Sequence, residues 1–313
     1  MTQIMLVFWV IIAFLILKEQ KIARILIYLG VFSLIAAVCY MLLGSPDVAM
    51  AEAATNAFTV VFFIICFEKY FNFTDAHMGS TERKNKLLSV STLLPAGLTF
   101  LIFGLFIYFR PDALYNPYLR DRFVQNFTAD VGGYNPVTAI YLGYRVYDTL
   151  FEALVVVLAV VAVTHLSAFS ENIVPKDQHS EMESSGLAVF AIKVICPIMI
   201  IFGIYLVLNG HITPGGGFQG GLAAASFFIC RYMIYDVNDL PINKLNRMEE
   251  LIFIGITLFA VLIVFFGAAA HLPPHLLPIF QRVYLILMNA LIGLKVACGF
   301  VILFYRFIVI EQR

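Results

Sequence analysis

Charged residues are scarce in this sequence, because Asp, Glu, Lys and Arg together make up only 13% of its 313 residues. An ordinary soluble domain is roughly one-quarter charged. Hydrophobic residues account for 61% of the chain, and the formal net charge is zero. This composition excludes an ordinary soluble domain and shows no basic patch for nucleic acid. It predicts instead a protein that lies in a lipid bilayer.

Closely spaced metal ligands are also missing. No two of the five cysteines form a C-x-x-C pair, so an iron–sulfur or nickel site in this chain is not expected. His271 and His275 have the spacing of two ligands on one helical face, but the prolines between them oppose a helix. We therefore expect neither a metal nor a cofactor. We assign the cysteines to packing: Cys39, Cys66, Cys196, Cys230 and Cys298.

The sequence lacks the alternation of polar and apolar residues that membrane strands show, which excludes a barrel. It has instead nine apolar blocks, and a helix needs about 20 apolar residues to cross hydrocarbon. The first block lacks the basic start and the cleavage site of a signal peptide, so we keep it as a helix. The predicted fold class is an all-α polytopic membrane protein with about nine transmembrane helices. The blocks are 2–17, 22–43, 48–67, 87–109, 137–165, 187–208, 218–235, 250–270 and 280–305.

Lysine and arginine are unevenly distributed among the connections between these blocks. Most of them follow the first, third, fifth, seventh and ninth blocks, whereas Arg110, Arg120, Arg122 and Arg282 lie on the other side. Cytoplasmic loops carry the excess of positive charge in membrane proteins. The N-terminus is therefore predicted to be outside, and the C-terminus is predicted to be cytoplasmic.

Three charged residues interrupt the fifth block near the middle of its apolar length. Arg145, Asp148 and Glu152 are spaced by three and four residues, which places them on one face of a helix. An ionisable side chain inside a bilayer is costly, so it normally faces the interior of the helix bundle and a partner. We expect these three side chains to do so.

The third, sixth and ninth blocks also carry charge. Glu52 lies more than a turn inside the third block, whose outer end Asp47 caps. Lys193 precedes Pro197, which has no N–H to donate to the Lys193 carbonyl. Lys295 lies in an unbroken helical pattern and needs a carboxylate from a neighbouring helix. Two interpretations stay open: ion pairs that hold the helices in register, or a continuous relay for protons or cations.

A glycine-rich stretch, GHITPGGGFQGGL, separates the sixth and seventh blocks. Gly216 with Gly220, and Gly217 with Gly221, have the spacing that lets two helix backbones approach closely in lipid. The stretch lacks the Lys-Ser/Thr pair of a phosphate-binding loop, so we interpret its glycines as a packing hinge. For His211, lining an exit path and capping the turn are equally consistent with the sequence.

Four segments resemble parts of Mrp-type sodium/proton antiporters and of membrane-bound hydrogenases. GHITPGGGFQGGL and LIGLKVACG resemble the Mrp B subunit and its hydrogenase counterpart. GSPDVAMAEAA and NPVTAIYLGYRVYDTLFEA resemble two small modules, which form the tail of the Mrp A subunit or stand as separate subunits in hydrogenase and sulfur-reductase complexes. The last segment departs from the family pattern at Gly143, Tyr147 and Phe151 but keeps both carboxylates.

The resemblance implies a division of the chain into three modules. Residues 1–86 would form a three-helix module and residues 87–180 a two-helix module, each resembling a small subunit. Residues 181–313 would form a four-helix domain of the MnhB or Mrp B type. The chain would then be a multi-pass subunit of a cation/proton antiporter complex in a prokaryotic inner membrane. Its partners would include a large antiporter-like subunit, Na⁺ and H⁺.

The resemblance also implies that Glu52, Asp148 and Glu152 are carboxylates of an ion path. Our reading of buried charge adds further candidates to that path: Arg145, Lys193, Lys295 and His211. Fusion of the modules without a large antiporter-like region in front favours a redox-driven, hydrogenase-like complex over a stand-alone Mrp antiporter. Two other classes stay open, a subunit that contacts a quinone and a non-conducting scaffold between the antiporter and redox arms. We see no redox or hydrolytic site in the sequence, so catalysis would reside in other subunits.

The predicted topology can be tested by labelling single cysteines introduced into connections. A cysteine at Ser80, between the third and fourth blocks, should react with a membrane-impermeant maleimide only from the cytoplasmic side. A cysteine at Asn126, between the fourth and fifth blocks, should react only from outside. Labelling of both positions from the same side would contradict the topology, and the parent chain, with its five native cysteines, serves as the blank.

Overall fold

The computed structural model describes residues 2–70, 97–102, 104–105, 108, 118–168, 186–235, 241–266 and 276–309. Throughout these ranges the regular elements are helices. The all-α fold class is therefore confirmed. Five of the described helices are long and apolar enough to cross a membrane: Ile22–Leu42, Pro46–Cys66, Val146–Leu166, Val189–Asn209 and Leu277–Phe307.

The first three helices follow one another with short connections. Trp9 of the first donates its indole N–H to the Phe32 carbonyl of the second at 3.1 Å, and the two rings stack at 4.7 Å. Asn56 of the third donates to the Gly30 carbonyl of the second at 2.9 Å. These contacts hold the group together across its apolar surfaces. The helices are α1 (Thr2–Lys18), α2 (Ile22–Leu42) and α3 (Pro46–Tyr70).

The middle of the chain contains an element that the sequence patterns did not predict. Helix α4 (Tyr118–Val131) is polar, and it precedes a turn at Gly132, which has a φ of 82°. The chain then enters a continuous helix through Asn135, whose side chain caps it by accepting from Val137 N at 2.9 Å. This helix has three parts: α5 (Pro136–Ala139), a π-helical segment (Ile140–Tyr144) and α6 (Val146–Ala168).

The last of the final four helices is the longest one, and the other three pack against it. Helix α10 has 33 residues and contacts α3, α6, α7, α8 and α9. Its buried side chains include Leu285, Met288, Ile302 and Phe304, which are fully shielded from solvent. The hydrophobic core of the chain therefore lies along this helix. The four helices are α7 (Gly186–Asn209), α8 (Gly217–Tyr235), α9 (Ile242–Phe266) and α10 (Leu277–Val309).

Several sequence predictions lie outside the described residues or remain predictions. Ser80, His271 and His275 fall outside them, as does most of the fourth apolar block, 87–109. The number of nine transmembrane helices and the orientation of the termini stay predictions. The predicted eighth block begins too late in the chain, since α9 begins at Ile242 rather than near 250. Because of the earlier start, the helix includes about two further turns of mostly polar residues, 242–250.

The glycines of α8 lie where neighbouring helices approach its backbone. A Cβ at Gly217 would come within 2.6 Å of the Asn289 carbonyl of α10, and one at Gly221 would overlap the Gly293 carbonyl of the same helix. A Cβ at Gly220 would meet α7, 2.6 Å from the Gly203 carbonyl. Gly216, before the helix, has a φ of 151° and lies against the Tyr141 hydroxyl. Helix α8 is thus held between α7 and α10 at distances that only glycine permits.

Substitution of Gly221 tests this packing. We expect Gly221→Ala to lower the free energy of unfolding by about 1–3 kcal/mol, because the new methyl group forces two backbones apart. Gly255→Ala is the matched control, since Gly255 also lies within a long helix but a methyl group added there would have no neighbour within 4 Å. That variant should be unchanged or more stable by about 0.5–1 kcal/mol. Thermal unfolding of the purified protein in detergent measures both, and equal melting temperatures would refute the close approach.

Candidate functional site

A buried hydrogen-bond network joins segments of the three helix groups around Asn135. The Asn135 amide nitrogen lies 2.9 Å from Asp47 Oδ1, 3.2 Å from the Gly210 carbonyl and 3.1 Å from the Thr213 carbonyl. Asp47 Oδ1 also accepts from Gly215 N at 3.2 Å. Asn135 is only 4% exposed and Asp47 8%. We call this set of contacts the Asn135 junction, and it fixes the glycine-rich turn against α3 and α5.

His211 belongs to the same turn. Its carbonyl accepts from Tyr134 N at 2.8 Å and from Asn135 N at 3.0 Å, and its ring Nδ1 lies 3.0 Å from the Leu208 carbonyl. Burial lowers the pKa of His211 below its usual value, and the nearby positive charge of Arg282 acts in the same direction. The geometry is that of a residue that holds the turn, and a role in an ion path stays a prediction.

A second polar cluster lies beside the glycine-rich turn. Asn289 of α10 is fully buried, and its Oδ1 accepts from the Tyr141 hydroxyl and from Gly217 N, both at 3.0 Å. Thr138 Oγ1 lies 3.3 Å from the same tyrosine hydroxyl and donates to the Gly210 carbonyl at 2.6 Å. The Asn289 amide nitrogen has no hydrogen-bond partner among the described residues. The cluster ties the π-helical segment to the first turn of α8.

The π-helical segment is stabilised by side chains that bond its freed carbonyls. Arg145 N donates to the Ile140 carbonyl at 2.8 Å, five residues back. The Tyr141 carbonyl accepts from Thr149 Oγ1 at 2.6 Å, and the Leu142 carbonyl accepts from the Tyr284 hydroxyl at 2.8 Å. Backbone groups in hydrocarbon must be satisfied within the protein, and π-helical turns occur frequently at functional sites.

The charged residues of α6 follow this segment directly. Arg145 Nε and Asp148 Oδ2 form an ion pair at 2.6 Å, with side chains 64% and 47% exposed. Glu152, one turn further along, is also exposed. The expectation that these residues face the interior of this bundle is wrong. They lie on its outer surface, because a neighbouring face of α6, at Val146 and Thr149, is the one that packs into the core.

Glu52 and Lys193 lie apart from that cluster. The Glu52 carboxylate is half-buried and accepts from the Ser33 hydroxyl of α2. Lys193 is exposed on α7, and this helix continues through Pro197. Within the described ranges no ion pair links either residue to the charges of α6. The structure therefore separates the candidate path residues into distinct places on this chain.

Lys295 is the one candidate that is fully buried. Its Nζ lies 2.8 Å from Glu249 Oε1, and the two side chains are 0% and 3% exposed. The Phe253 ring lies 5.8 Å from the same nitrogen. The expectation that Lys295 pairs with a carboxylate from a neighbouring helix is confirmed. Glu249 itself was missed because the predicted eighth block begins one residue after it; the signal that would have found it is the helical spacing of Leu245, Ile252 and Ile256.

Two family models match this chain. Residues 187–302 match the domain related to the MnhB subunit of Na⁺/H⁺ antiporters. Residues 7–71 match the MbhD family of MBH subunits. The first match contains the glycine-rich turn and Lys295, and the second contains Asp47 and Glu52.

Curated relatives match parts of the chain. Protein MJ1307 of Methanocaldococcus jannaschii is 33% identical over 151 residues, which are 42% of this chain and 57% of that protein. The putative antiporter subunit mnhB2 of Staphylococcus haemolyticus is 38% identical over 78 residues, 24% of this chain and 55% of that protein. The chain thus spans little more than half the length of either relative.

Two solved structures share the fold. A chain of the Mrp complex from Dietzia sp. DQ12-45-1b superposes with a TM-score of 0.71 at 18% identity, over 95% of this chain and 34% of that chain. A chain of the membrane-bound sulfane sulfur reductase, an archaeal respiratory membrane complex, gives a TM-score of 0.53 at 22% identity, over 68% of this chain and 97% of that chain. Both neighbours belong to multi-subunit membrane complexes.

Because only Lys295 belongs to a buried ion pair, we expect its loss and the loss of Lys193 to affect stability differently. Lys295→Ala should lower the free energy of unfolding by about 3–5 kcal/mol, because it leaves the Glu249 carboxylate buried without its cation. Lys193→Ala should leave stability nearly unchanged, since that side chain is exposed, and should instead impair ion transfer. The measurement is thermal unfolding of both variants in detergent, together with reconstituted transport.

A double variant controls for the loss of side-chain volume. Lys295→Met combined with Glu249→Leu removes both charges and keeps apolar bulk, so it should recover most of the stability that Lys295→Ala loses. If Lys193→Ala unfolded and Lys295→Ala were as stable as the parent, the assignment of the pairing role to Lys295 would be wrong.

Proposed function

Because the chain joins an MbhD-type domain and an MnhB-type domain of the Mrp antiporter family, we propose that it carries Na⁺, H⁺ or both as part of a multi-subunit antiporter module. The module boundaries suggested by the sequence, 1–86, 87–180 and 181–313, are part of this proposal. We also propose that the chain belongs to a redox-driven, hydrogenase-like complex of a prokaryotic inner membrane, beside a large antiporter-like subunit. Redox chemistry would then belong to other subunits.

The observation that carries this proposal is the exposed charge on α6. Arg145 and Asp148 form an ion pair on the outer surface of the chain, at the N-terminal end of a span that begins at Val146. Glu152 is exposed on the same helix. Charged groups inside a bilayer do not face lipid; they face protein partners or a water-filled path. This surface therefore fits a contact with a neighbouring subunit and an aqueous route for cations between them.

The carboxylates of this surface differ in their partners. Asp148 is bonded to Arg145, whereas Glu152 has no cation within salt-bridge distance among the described residues. An unpaired carboxylate is the group that a passing Na⁺ or H⁺ can neutralise. Arg145 is paired with Asp148, so Glu152 is left to accept a cation. This supports a conducting role for Glu152, with Asp148 beside it.

A scaffold function has its own support in the Asn135 junction. The junction ties α3, α5 and the α7–α8 turn with neutral hydrogen bonds and one carboxylate. A non-conducting subunit that joins the antiporter and redox arms needs this rigidity and no exposed charge on α6. The charge on α6 therefore favours conduction over the scaffold alone.

Neutral replacements on α6 separate the two functions. Asp148→Asn and Glu152→Gln keep the side-chain volume, so the complex should assemble. Cation-coupled activity should fall about tenfold or more, the effect of about 1.4 kcal/mol on a rate. The measurement is sodium- and proton-coupled transport by the reconstituted complex, with its composition determined by gel electrophoresis.

Asp121→Asn is the matched control, because Asp121 is an exposed carboxylate on α4, outside the described spans. It should assemble and transport like the parent. Normal transport by both α6 variants would identify the chain as a scaffold.

A further inference from the structure

Two of the five cysteines face each other between α7 and α8. Gly203 and Val207 of α7 lie against Gly220 in the first turn of α8. The two helices are antiparallel, so positions further back along α7 meet positions further forward along α8. About two turns beyond Gly203, this register places Cys196 opposite Cys230, and the two thiols interact. A pair of sulfur atoms therefore meets between two helices.

A third sulfur atom adjoins this pair. Cys230 Sγ lies 4.0 Å from Met199 Sδ, and Met199 follows Cys196 by three residues, on the same face of α7. Cys196 is only 7% exposed, whereas Cys230 and Met199 are partly exposed. A thioether is a weak acceptor, so it does not compete strongly with a reaction between the two thiols. One cysteine of the pair is thus shielded, and the other can be reached.

The close packing of α7 and α8 brings the two cysteines within reach of a covalent bond. Packed helices usually lie about 8–10 Å apart, whereas a disulfide needs Cα atoms about 4.4–6.8 Å apart. Here a Cβ at Gly220 would come within 2.6 Å of the Gly203 carbonyl, so the backbones approach more closely than usual. The contact between the thiols of Cys196 and Cys230 shows that the helices have not diverged two turns further along.

We infer that Cys196 and Cys230 are a reversible dithiol–disulfide pair, oxidised by a small uncharged two-electron acceptor such as a quinone. Two S–H bonds break and one S–S bond forms. The two electrons and two protons pass to the quinone, which leaves as the quinol. The surface beside the pair favours an uncharged oxidant, because Ile195 and Ile198 are 49% and 58% exposed there. A reducing dithiol restores both thiols by exchange.

The bond would act on the attachment of α7, which packs mainly against α8 and α10. In the structure both cysteines are free thiols, so the two helices are joined there only by packing. Oxidation would join them covalently at the end remote from the glycine-rich turn. Disulfides in a reducing compartment are usually transient and redox-sensing, and the predicted orientation places this end of α8 on the cytoplasmic side. The inference involves no cation and does not rest on the proposed function.

Counting of free thiols after oxidation tests the pair. The purified complex is treated with duroquinone, a fully methylated quinone that cannot form a thioether adduct. It is then unfolded and labelled with a maleimide, and the labels on this chain are counted by intact mass. The untreated chain should carry five labels, and the oxidised chain should carry three, because one pair of thiols has become a disulfide. Treatment with dithiothreitol before labelling should return the count to five.

Single serine variants identify the two cysteines that react. Cys196→Ser and Cys230→Ser each have four thiols, and each should keep four labels after duroquinone, because the remaining partner has no second thiol. If Cys196→Ser failed to assemble, Cys230→Ser would decide alone, since its side chain is partly exposed.

Cys39→Ser is the matched control, because Cys39 is a buried cysteine on α2, in another helix group. Its count should fall from four labels to two, as the Cys196–Cys230 pair is intact. Five labels on the parent after duroquinone would overturn the inference. So would a loss of two labels in Cys196→Ser or Cys230→Ser, since other thiols would then have reacted. Neither result depends on whether the chain carries cations.

Discussion

A backbone carbonyl or side-chain amide that is buried away from water must find its hydrogen-bond partner within the protein, and the arrangement of this chain follows from that constraint. The Asn135 amide meets it at the α7–α8 turn, where its nitrogen lies within hydrogen-bond distance of two carbonyls and of the Asp47 carboxylate. The π-helical segment meets it through Thr149 and Tyr284, which bond the carbonyls that the wider turn releases. Each polar group that is satisfied in this way fixes one helix against another.

The charged residues divide into two kinds under the same constraint. Lys295 and Glu249 neutralise each other in the core, so they need nothing from outside the chain. The Arg145–Asp148 pair, Glu152 and Lys193 are exposed on helices that otherwise present apolar side chains. Under the proposed function these groups would face neighbouring subunits, and the two solved chains that share the fold come from membrane complexes.

Much of the fold could be predicted from the sequence, because hydrophobic length and glycine spacing are local properties. The long apolar blocks predicted the spans of α2, α3, α6, α7 and α10, and the buried lysine called for a carboxylate that the structure supplies. Burial itself could not be predicted, since it depends on which face of a helix its neighbours cover. Arg145, Asp148 and Glu152 share a face in the sequence pattern, but nothing in that pattern says that the face points outward. Helix α4 is polar and has no hydrophobic signature, so it was missed. The π-helical segment lies inside the fifth apolar block, 137–165, but an apolar pattern does not distinguish a π-helical turn from an α-helical one.

The same fold occurs in chains of different length. The Dietzia chain contains this fold within a third of its length, and the sulfane sulfur reductase chain is covered almost whole by two thirds of this one. The fold is shared at 18% and 22% identity, and in this chain contacts between segments distant in sequence hold it together. The Asn135 junction is a contact of that kind, because it joins positions 88 and 75 residues apart in sequence through side-chain and backbone bonds. Fusion into one chain then adds a high effective concentration of the modules for one another, which strengthens an interface whose geometry the hydrogen bonds already define.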